Sequence, residues 1–380
     1  MTDQQSFDIV VRGAHVIDPA QNIDRVTDIG ISDGVIAQLG ALDQCPANQE
    51  IDGDGLYASP GWVDLHAHVF SGANAGGVHP DQQAGIATGV TTVVDAGTSG
   101  AGTWRTFRES VVKPSTTRVL AFMNISLIPT RGPRHGDWEN FSQGQTIRLA
   151  EQESDAGYCV GIKVLASQTH CGNLGIEPVK LARQAARLSG TGLMVHIGNA
   201  PPLIEDVLDL LGEGDIVTHC WHGKYGGLLG RNQLPLAATL AAVERGVKFD
   251  IGHGSASFSF DVARRALDLG LPVHAISTDL HSRNVDRPVR DMGTTMTKFL
   301  HLGLDLTEVI RLSTHSPAQL IHRDNEIGSL EPGYCADLTL FRVVDDTVEL
   351  QDSEGKSESA RRYLEVTHTI RAGEVAIQRQ

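Results

Sequence analysis

Cysteine is scarce in this sequence of 380 residues, and no two cysteines stand close together. The cysteines are odd in number and scattered: Cys45, Cys159, Cys171, Cys220 and Cys335. Zinc ribbons and redox motifs need closely spaced pairs, so the pattern excludes both classes. We expect reduced thiols in a cytoplasmic protein, because disulfides form and persist in oxidising compartments.

Positive charge and long apolar runs are lacking as well. The 31 Lys and Arg residues face 46 Asp and Glu residues, which gives a net charge of −15. This balance argues against nucleic acid or an anionic membrane as a partner. No apolar run approaches the roughly 20 residues of a membrane helix, and the polar start lacks the features of a secretory signal.

The length and the apolar content define what the chain can build. With 41% hydrophobic residues, the chain can form a sizeable core. Its 380 residues suffice for one barrel of about 250 residues and a smaller module. Both ends consist of short alternating runs with Asp-Gly turns, as in "DIGISDGVIAQLG" and "VTHTIRAGEVAIQ". We predict one small β-sandwich domain from residues 1–58 and 325–380.

The middle of the chain, residues 59–324, alternates strand-like and helix-like segments. The predicted strands are "WVDLHAHV", "TTVVDAG", "RVLAFMNIS", "GIKVLAS", "LMVHIG", "DIVTHC", "VKFDIGHG" and "VHAISTDL". Amphipathic segments such as "EPVKLARQAARLSG" lie between several of them and end in glycine, the common helix stop. Eight strands alternating with helices predict an α/β fold, a (β/α)₈ TIM barrel.

Six ionisable residues lie toward the carboxyl ends of these strands: His66, His68, Lys163, His196, His219 and Asp279. Each one alone could be a packed core residue. A buried lysine or aspartate without a partner costs several kcal/mol, however, so a plain barrel core would avoid them. Because barrel active sites form at the carboxyl ends of the strands, we predict that the six converge there.

The residue types in this set suit a metal centre. Neutral imidazole nitrogen and carboxylate oxygen are zinc ligands. A lysine that is deprotonated by burial can take up carbon dioxide as a carbamate, whose oxygens can bridge two metal ions. We therefore expect two divalent ions, with zinc as the expected metal, and a carbamate on Lys163.

The sequence resembles the amidohydrolase superfamily. Its metal motifs are similar to "GWVDLHAHVF", "GIKVLAS", "MVHIG", "VTHC" and "STDL", and the β-rich ends are similar to its small domain. The resemblance implies His66 and His68 on one metal, His196 and His219 on the other, and carboxylated Lys163 between them. It further implies that Asp279 binds the first metal and moves protons while a bridging hydroxide attacks a carbonyl.

Within the superfamily, "HAHVF", "DAGTSG" and "THCWHGK" resemble a bacterial deacetylase branch. That branch implies a small acylated α-hydroxy or α-amino carboxylate as substrate, such as acetyl-(R)-mandelate or an N-acetyl-D-amino acid. Many dihydroorotases carry a substrate-binding arginine where this chain has Phe70. The candidates for holding a substrate carboxylate are Lys224, His253 and Arg283, each of which could equally be a solvated or packed residue.

Three other interpretations stay open at this point. A cyclic amide hydrolase of dihydroorotase or hydantoinase type would use the same metal ligands. A heterocycle deaminase is less compatible, since deaminase branches generally lack the bridging lysine found here as Lys163. A non-catalytic scaffold typically loses metal ligands, whereas all six positions are filled. The sequence does not decide whether the chain forms a homo-oligomer.

Overall fold

The computed structural model of the protein describes residues 6–42, 45–72, 75–130 and 136–379. Residues 1–5, part of the start that is predicted to carry no signal, lie outside this description. The strands are β1 (Phe7–Asp18), β2 (Ile23–Ser32), β3 (Val35–Gly40), β4 (Ala47–Asp52), β5 (Tyr57–Pro60), β6 (Trp62–Ala67), β7 (Val90–Gly100), β8 (Arg118–Asn124), β9 (Cys159–Ala166), β10 (Gly192–Ile197), β11 (Ile216–Thr218), β12 (Lys248–Asp250), β13 (Leu338–Val344), β14 (Val348–Gln351), β15 (Ser357–Ala360), β16 (Tyr363–Arg371) and β17 (Glu374–Gln378).

The helices lie mainly between the strands of the barrel. They are α1 (Trp104–Phe107), α2 (Gln143–Asp155), α3 (Gln168–Cys171), α4 (Glu177–Ser189), α5 (Ile204–Asp209), α6 (Ala237–Glu244), α7 (Phe260–Asp268), α8 (Met292–His301), α9 (Leu306–Arg311) and α10 (His315–Leu320). Short 3₁₀ and π segments occur at Pro80–Ala84, Ile86–Thr88, Arg108–Val112, Trp138–Asn140 and Gly172–Leu174. The predicted glycine stop of α4 is confirmed, because Gly190 adopts a left-handed conformation with φ of 65°.

Strands from both chain ends form one sheet of eight strands, in the order β17-β16-β13-β5-β1-β2-β3 with β4 beside β1. Asp33 and Gly34 join β2 to β3, and both have positive φ, of 52° and 75°. That conformation matches the twist of a tight hairpin and explains the predicted Asp-Gly turn. Strand β5 crosses the predicted domain boundary at residue 58, since it runs to Pro60 and pairs with β13.

The barrel strands β6 to β12 form one parallel sheet in sequential order. The segment predicted as the eighth strand, residues 273–280, is not a regular strand; it pairs only at Ala275 with β12 and at Leu280 with β6. Asp279, with φ of 48°, interrupts extended backbone near the end of this segment. These two bridges still join the two edges of the sheet, and the predicted α/β barrel fold is confirmed.

The alternation of side chains along the barrel strands separates two cores. One apolar cluster includes residues on the inner faces of β7, β8 and β10, among them Val94, Phe122 and Met194. Their sequence neighbours, such as Val93 and Val195, belong to the larger cluster that includes the surrounding helices. Because successive strand residues point to opposite faces, a residue two positions beyond an inner-face residue also points inward.

Candidate metal centre

All six predicted metal ligands line one cavity of about 330 Å³ at the carboxyl ends of the barrel strands. They are His66, His68, Lys163, His196, His219 and Asp279. The inner face of β10 shows how the strand period directs them, because His196 follows Met194 of the inner cluster by two residues. The structure therefore brings together the whole predicted set.

The polar atoms at the centre of the cavity lie within coordination reach of one another. The Asp279 Oδ1 atom is 3.0 Å from His68 Nε2 and 3.6 Å from His66 Nε2. One ligand atom from each of His66, His219 and Asp279 falls within a mutual separation of 4.8 Å. The His196 ring lies against that of His219, with centroids 4.4 Å apart. His66, His219 and Asp279 could together hold one cation.

Left-handed backbone directs two of these residues. His219 directly follows β11, and Asp279 lies between the isolated bridges at Ala275 and Leu280; their φ angles are 69° and 48°. Such conformations are uncommon outside glycine and are concentrated at functional sites, where surrounding structure holds them. The backbone of Asp279 is held by its N–H, which donates to the His66 carbonyl at 2.5 Å. The strand alternation used in the sequence argument does not account for the direction of these two side chains.

Hydrogen bonds to Nδ1 direct the Nε2 atoms of the histidines toward the centre. His219 Nδ1 lies 2.6 Å from the Gly252 carbonyl, which can only accept, so Nδ1 donates and Nε2 keeps its lone pair. His66 Nδ1 lies 2.8 Å from Thr218 Oγ1, and that hydroxyl donates to Asp250 at 2.6 Å. The hydroxyl must therefore accept a hydrogen bond from His66 Nδ1, so that His66 Nε2 carries no hydrogen and keeps its lone pair. These outer contacts are typical of metal-ligating histidines.

Burial favours the neutral, metal-binding form of these imidazoles. It lowers the pKa of His219 to about 3, and it lowers the pKa values of His66 and His196 well below the usual range. Burial alone would raise the pKa of Asp279, but the neighbouring His66 and His68 hold that pKa well below its ordinary value. Neutral nitrogens and one ionised carboxylate are the donor set that a divalent metal requires.

Lys163 is fully enclosed beside these donors. Its Nζ atom contacts His66 Nε2 and Met194 Sδ, both at 3.4 Å, and in the described part of the chain no carboxylate forms an ion pair with it. Burial lowers the pKa of Lys163 to about 8, so the neutral amine is accessible near neutral pH. A neutral amine is the form that reacts with carbon dioxide, and the carbamate would supply the anionic oxygens that the donor set still lacks.

Two further buried carboxylates, which the sequence argument missed as it missed Asp250, support the site from outside. Asp64 accepts from the backbone N–H groups of Thr278 and His66, and Asp95 accepts from those of Val69 and Thr98. Burial raises the pKa of Asp64 to about 7. The position of Asp64, two residues before His66 on β6, was the available sequence signal, because that spacing places both side chains on one strand face.

Glycine is required where the backbone passes close behind the ligands. At Gly97 an added Cβ would lie 2.5 Å from Lys163 Cβ, and at Gly254 it would overlap the Asp279 carboxylate. Since real Cβ atoms do not approach so closely, any side chain at Gly254 would displace Asp279. The space around the predicted metal ligands therefore depends on two glycines that are not themselves ligands.

We expect Gly254→Ala to weaken the binding of zinc to the metal-free protein by about 10- to 100-fold, the range found when groups supporting a ligand are changed. Isothermal calorimetry with added zinc measures the effect. Gly270→Ala is the matched control, because Gly270 has a similar φ of 66° but open space around the added methyl group. Equal zinc affinity in the two variants would contradict the proposed crowding of Asp279.

Of the three predicted substrate contacts, only Lys224 lines the cavity. Its Nζ atom lies 3.4 Å from Ser257 Oγ, and burial lowers its pKa. His253 is instead buried outside the cavity lining, where its Nε2 meets Lys298 Nζ at 2.7 Å and its ring stacks on Phe258. Arg283 is exposed on the loop after Asp279 and does not line the cavity.

Sequence reasoning also missed several polar residues of the cavity wall. These are Thr130, Ser167, Thr169, His170, Asn199, Ser255, Ser257 and His281. His281 stands two residues after Asp279, in a spacing that resembles the His66 and His68 pair, and this was the available signal. The others lie in loops or at the single-turn helix α3, where no period of the sequence predicts which way a side chain points.

A hairpin from the C-terminal part of the chain supports one wall of the cavity. Strands β14 and β15 form this hairpin, and the one hydroxyl hydrogen of Ser353 at its tip is shared between the carbonyls of His253 and Gly254, at 3.1 and 2.8 Å. Glu354 accepts from Ser259 at 2.6 Å. The loop that supplies Ser255 and Ser257 is thereby held between the barrel and the hairpin.

No helix in the described part of the chain is long and apolar enough to span a bilayer.

Residues 250–377 match the amidohydrolase family. The chain is 38% identical over 350 residues to a protein named deacetylase from Agrobacterium fabrum, and the match covers 90% of this chain and 85% of that protein. A structure described as an adenine deaminase has a TM-score of 0.91 at 34% identity and covers 98% of this chain and 100% of that one. A structure described as a dihydroorotase has a TM-score of 0.86 at 34% identity, with 97% of each chain covered.

Proposed function

The chain belongs to the amidohydrolase superfamily, in its deacetylase branch, and on this premise we propose that it removes the acyl group from small acylated α-hydroxy or α-amino carboxylates. The observation that supports the proposal most directly is that metal-binding groups and a cationic side chain line one cavity. The donor set of a metal centre and the ammonium group of Lys224 line the same space. The acyl carbonyl of a substrate would lie at the metal centre, and its carboxylate would pair with Lys224.

We propose that two zinc ions occupy the centre, held by the four histidines, by Asp279 and by a carbamate on Lys163. When bound, such ions supply a more acidic water and polarise a carbonyl oxygen. The support for this assignment is the set of bare Nε2 atoms described above, together with the enclosed amine of Lys163. The supporting Thr218 and Asp250 keep His66 in the required tautomer.

Asp279 is proposed to move the proton. Its Oδ1 atom faces His66 and His68, while Oδ2 lies toward Gly254 at the loop that lines the cavity. Oδ2 can therefore accept a proton from the attacking water and return it to the leaving nitrogen or oxygen of the substrate. The neighbouring histidines lower the pKa of this carboxylate, so it starts in the ionised form that accepts protons.

Lys224 is proposed to anchor the substrate carboxylate. Lys224→Met should raise KM for N-acetylated amino acids by roughly 10- to 100-fold with little change in kcat, as expected for the loss of a charge-assisted hydrogen bond. Steady-state kinetics on N-acetyl-D-alanine and on N-ethylacetamide, which lacks the carboxylate, test this. In this variant KM should rise for N-acetyl-D-alanine and should stay unchanged for N-ethylacetamide.

Lys180→Met serves as the control, because Lys180 is an exposed residue of α4 that pairs with Glu177. Arg283→Met tests the remaining sequence prediction. An equal loss on both substrates in Lys224→Met would overturn the anchor, and a KM increase confined to Arg283→Met would move the anchor to that residue.

Cyclic amide hydrolysis is the second candidate, favoured by the similarity to a structure described as a dihydroorotase. Phe70 weighs against it, since the side chain is buried, packs on Phe107 with ring centroids 5.5 Å apart, and does not line the cavity. A structure described as an adenine deaminase is also similar to this chain. Deaminase branches, however, generally lack the bridging lysine that this chain has as Lys163.

One panel separates these reactions. Purified protein is loaded with zinc in bicarbonate buffer and its metal content is measured. It is then assayed on acetyl-(R)-mandelate, N-acetyl-D-amino acids, dihydroorotate, hydantoin and adenine. Turnover of the acetylated acids in preference to the rings supports the proposal. Turnover of only a ring substrate, or a metal-free protein inert to the whole panel, contradicts it.

A further inference from the structure

A second cavity adjoins the candidate metal centre. It has a volume of about 620 Å³ and lies between the loop before α5 and the loop that follows β11. Its apolar lining is Leu203, Ile204, Tyr225, Leu229 and Leu236. Its size is within the usual range for small-molecule sites, and its lining also includes glycines and the polar side chains of Glu205, Lys224, Arg231 and Gln233.

The two cavities share their dividing wall. Lys224 lines both of them. Asn199 lines the metal cavity, and the next residue, Ala200, lines the second cavity. A carboxylate held by Lys224 would therefore lie at the boundary between the two spaces.

The geometry of an acylated α-amino or α-hydroxy acid fits this division. Its α-carbon carries a carboxylate, an acylated nitrogen or oxygen, and a side chain. With the acyl carbonyl at the metal centre and the carboxylate at Lys224, the third substituent is directed away from the metals. The adjoining cavity, which Lys224 also lines, is space that this substituent can occupy.

Large apolar side chains at this cavity are exposed to solvent. Tyr225 is 70% exposed and Leu203 is 56% exposed. The Tyr225 ring is held from one side by Arg231, whose guanidinium lies 5.2 Å from the ring centroid. Covering this exposed apolar surface with an apolar group of the substrate would be favourable, because it removes apolar surface from water.

We propose that this second cavity receives the side chain on the α-carbon of the substrate, and that the enzyme prefers acylated acids with long aliphatic or aromatic side chains. The inference rests on the proposed function and names the substrate class more narrowly. Each buried methylene is expected to raise kcat/KM by about fourfold.

The test is a series of N-acetyl amino acids that differ only in side-chain length: alanine, norvaline and norleucine, of both hands. For the preferred hand we expect kcat/KM to rise by tens of fold from alanine to norleucine, at about fourfold per methylene. Dissociation constants of the free amino acid products, measured by calorimetry, should fall in the same order. This second readout does not depend on turnover.

Leu203→Asn should flatten the series, because it removes apolar surface from the cavity. Asparagine also suits the position, since Leu203 is the residue that caps the start of α5. Leu188→Asn is the matched control, since Leu188 is 54% exposed on α4 and does not line the cavity. That variant should keep the full dependence on side-chain length.

The outcomes are distinguishable. Hydrolysis of all members at equal rates overturns this inference and leaves the proposed function standing. Hydrolysis of none removes the proposed function and this inference together. A change of oligomeric state in Leu203→Asn on size-exclusion chromatography, with the length dependence intact, would show that a second copy of the chain covers the surface, and would also overturn the inference.

Discussion

Replacing Asp279 with Asn should lower kcat by about 10²- to 10⁴-fold, the usual contribution of a positioned acid or base. The amide has nearly the same shape and can still offer its oxygen to a cation, so most of the bound metal should remain. It cannot accept the proton of an attacking water or return it to the leaving group. Kinetics on the best acetylated substrate and metal analysis of the same sample measure both parts.

Asp286→Asn is the matched control, because it removes one negative charge from an exposed residue a short distance along the chain. Its kcat should equal that of the unmodified protein. Activity near normal in Asp279→Asn would exclude this carboxylate as the proton carrier. Loss of activity together with loss of all metal would instead assign Asp279 a purely structural role as a ligand.

Lys163→Ala should cost at least ~10³-fold in kcat/KM, since several kcal/mol of charge stabilisation depend on a fully assembled metal centre. The variant cannot form a carbamate, and four histidines with one carboxylate leave the cations under-neutralised. We therefore also expect less metal per chain. A small carboxylate such as propionate, added at high concentration, should restore part of the activity by occupying the vacated space.

A readout independent of activity is the ¹³C resonance of a carbamate after the protein is incubated with labelled bicarbonate and zinc. The resonance should be present in the unmodified protein and absent in Lys163→Ala. Lys298→Met is the control for a second buried lysine, because Lys298 bonds to His253 and to the Pro288 carbonyl outside the metal cavity. A fully metallated, active protein without the resonance would contradict the carbamate.

The local sequence pattern was sufficient to predict the fold and to select residues that the structure brings together. His66 and His68 stand two apart on a strand, and His196 stands in a strand with apolar neighbours on either side. A period of two residues fixes which strand residues share a face, and parallel barrel strands all end on one rim. These two facts predict that His66, His68 and His196 lie at one rim of the barrel.

The substrate contacts were not predictable in the same way. Lys224, His253 and Arg283 all follow barrel strands in the sequence, yet only Lys224 lines the cavity. Glycines at 252 and 254, with φ of 49° and 58°, turn the chain on both sides of His253, whose ring stacks on Phe258. Loop conformation depends on such turns and on distant partners, and neither leaves a periodic signal.

The sequence by itself determined the alternation of strands and helices, the barrel, and six of the ionisable side chains at its rim, because strand and helix periods are local properties of the chain. Only the tertiary structure decided the left-handed backbone at His219 and Asp279, the tautomer that Thr218 and Asp250 impose on His66, and the apolar cavity beside Lys224. Each of these depends on groups that are far apart in the sequence and come into contact only when the barrel closes.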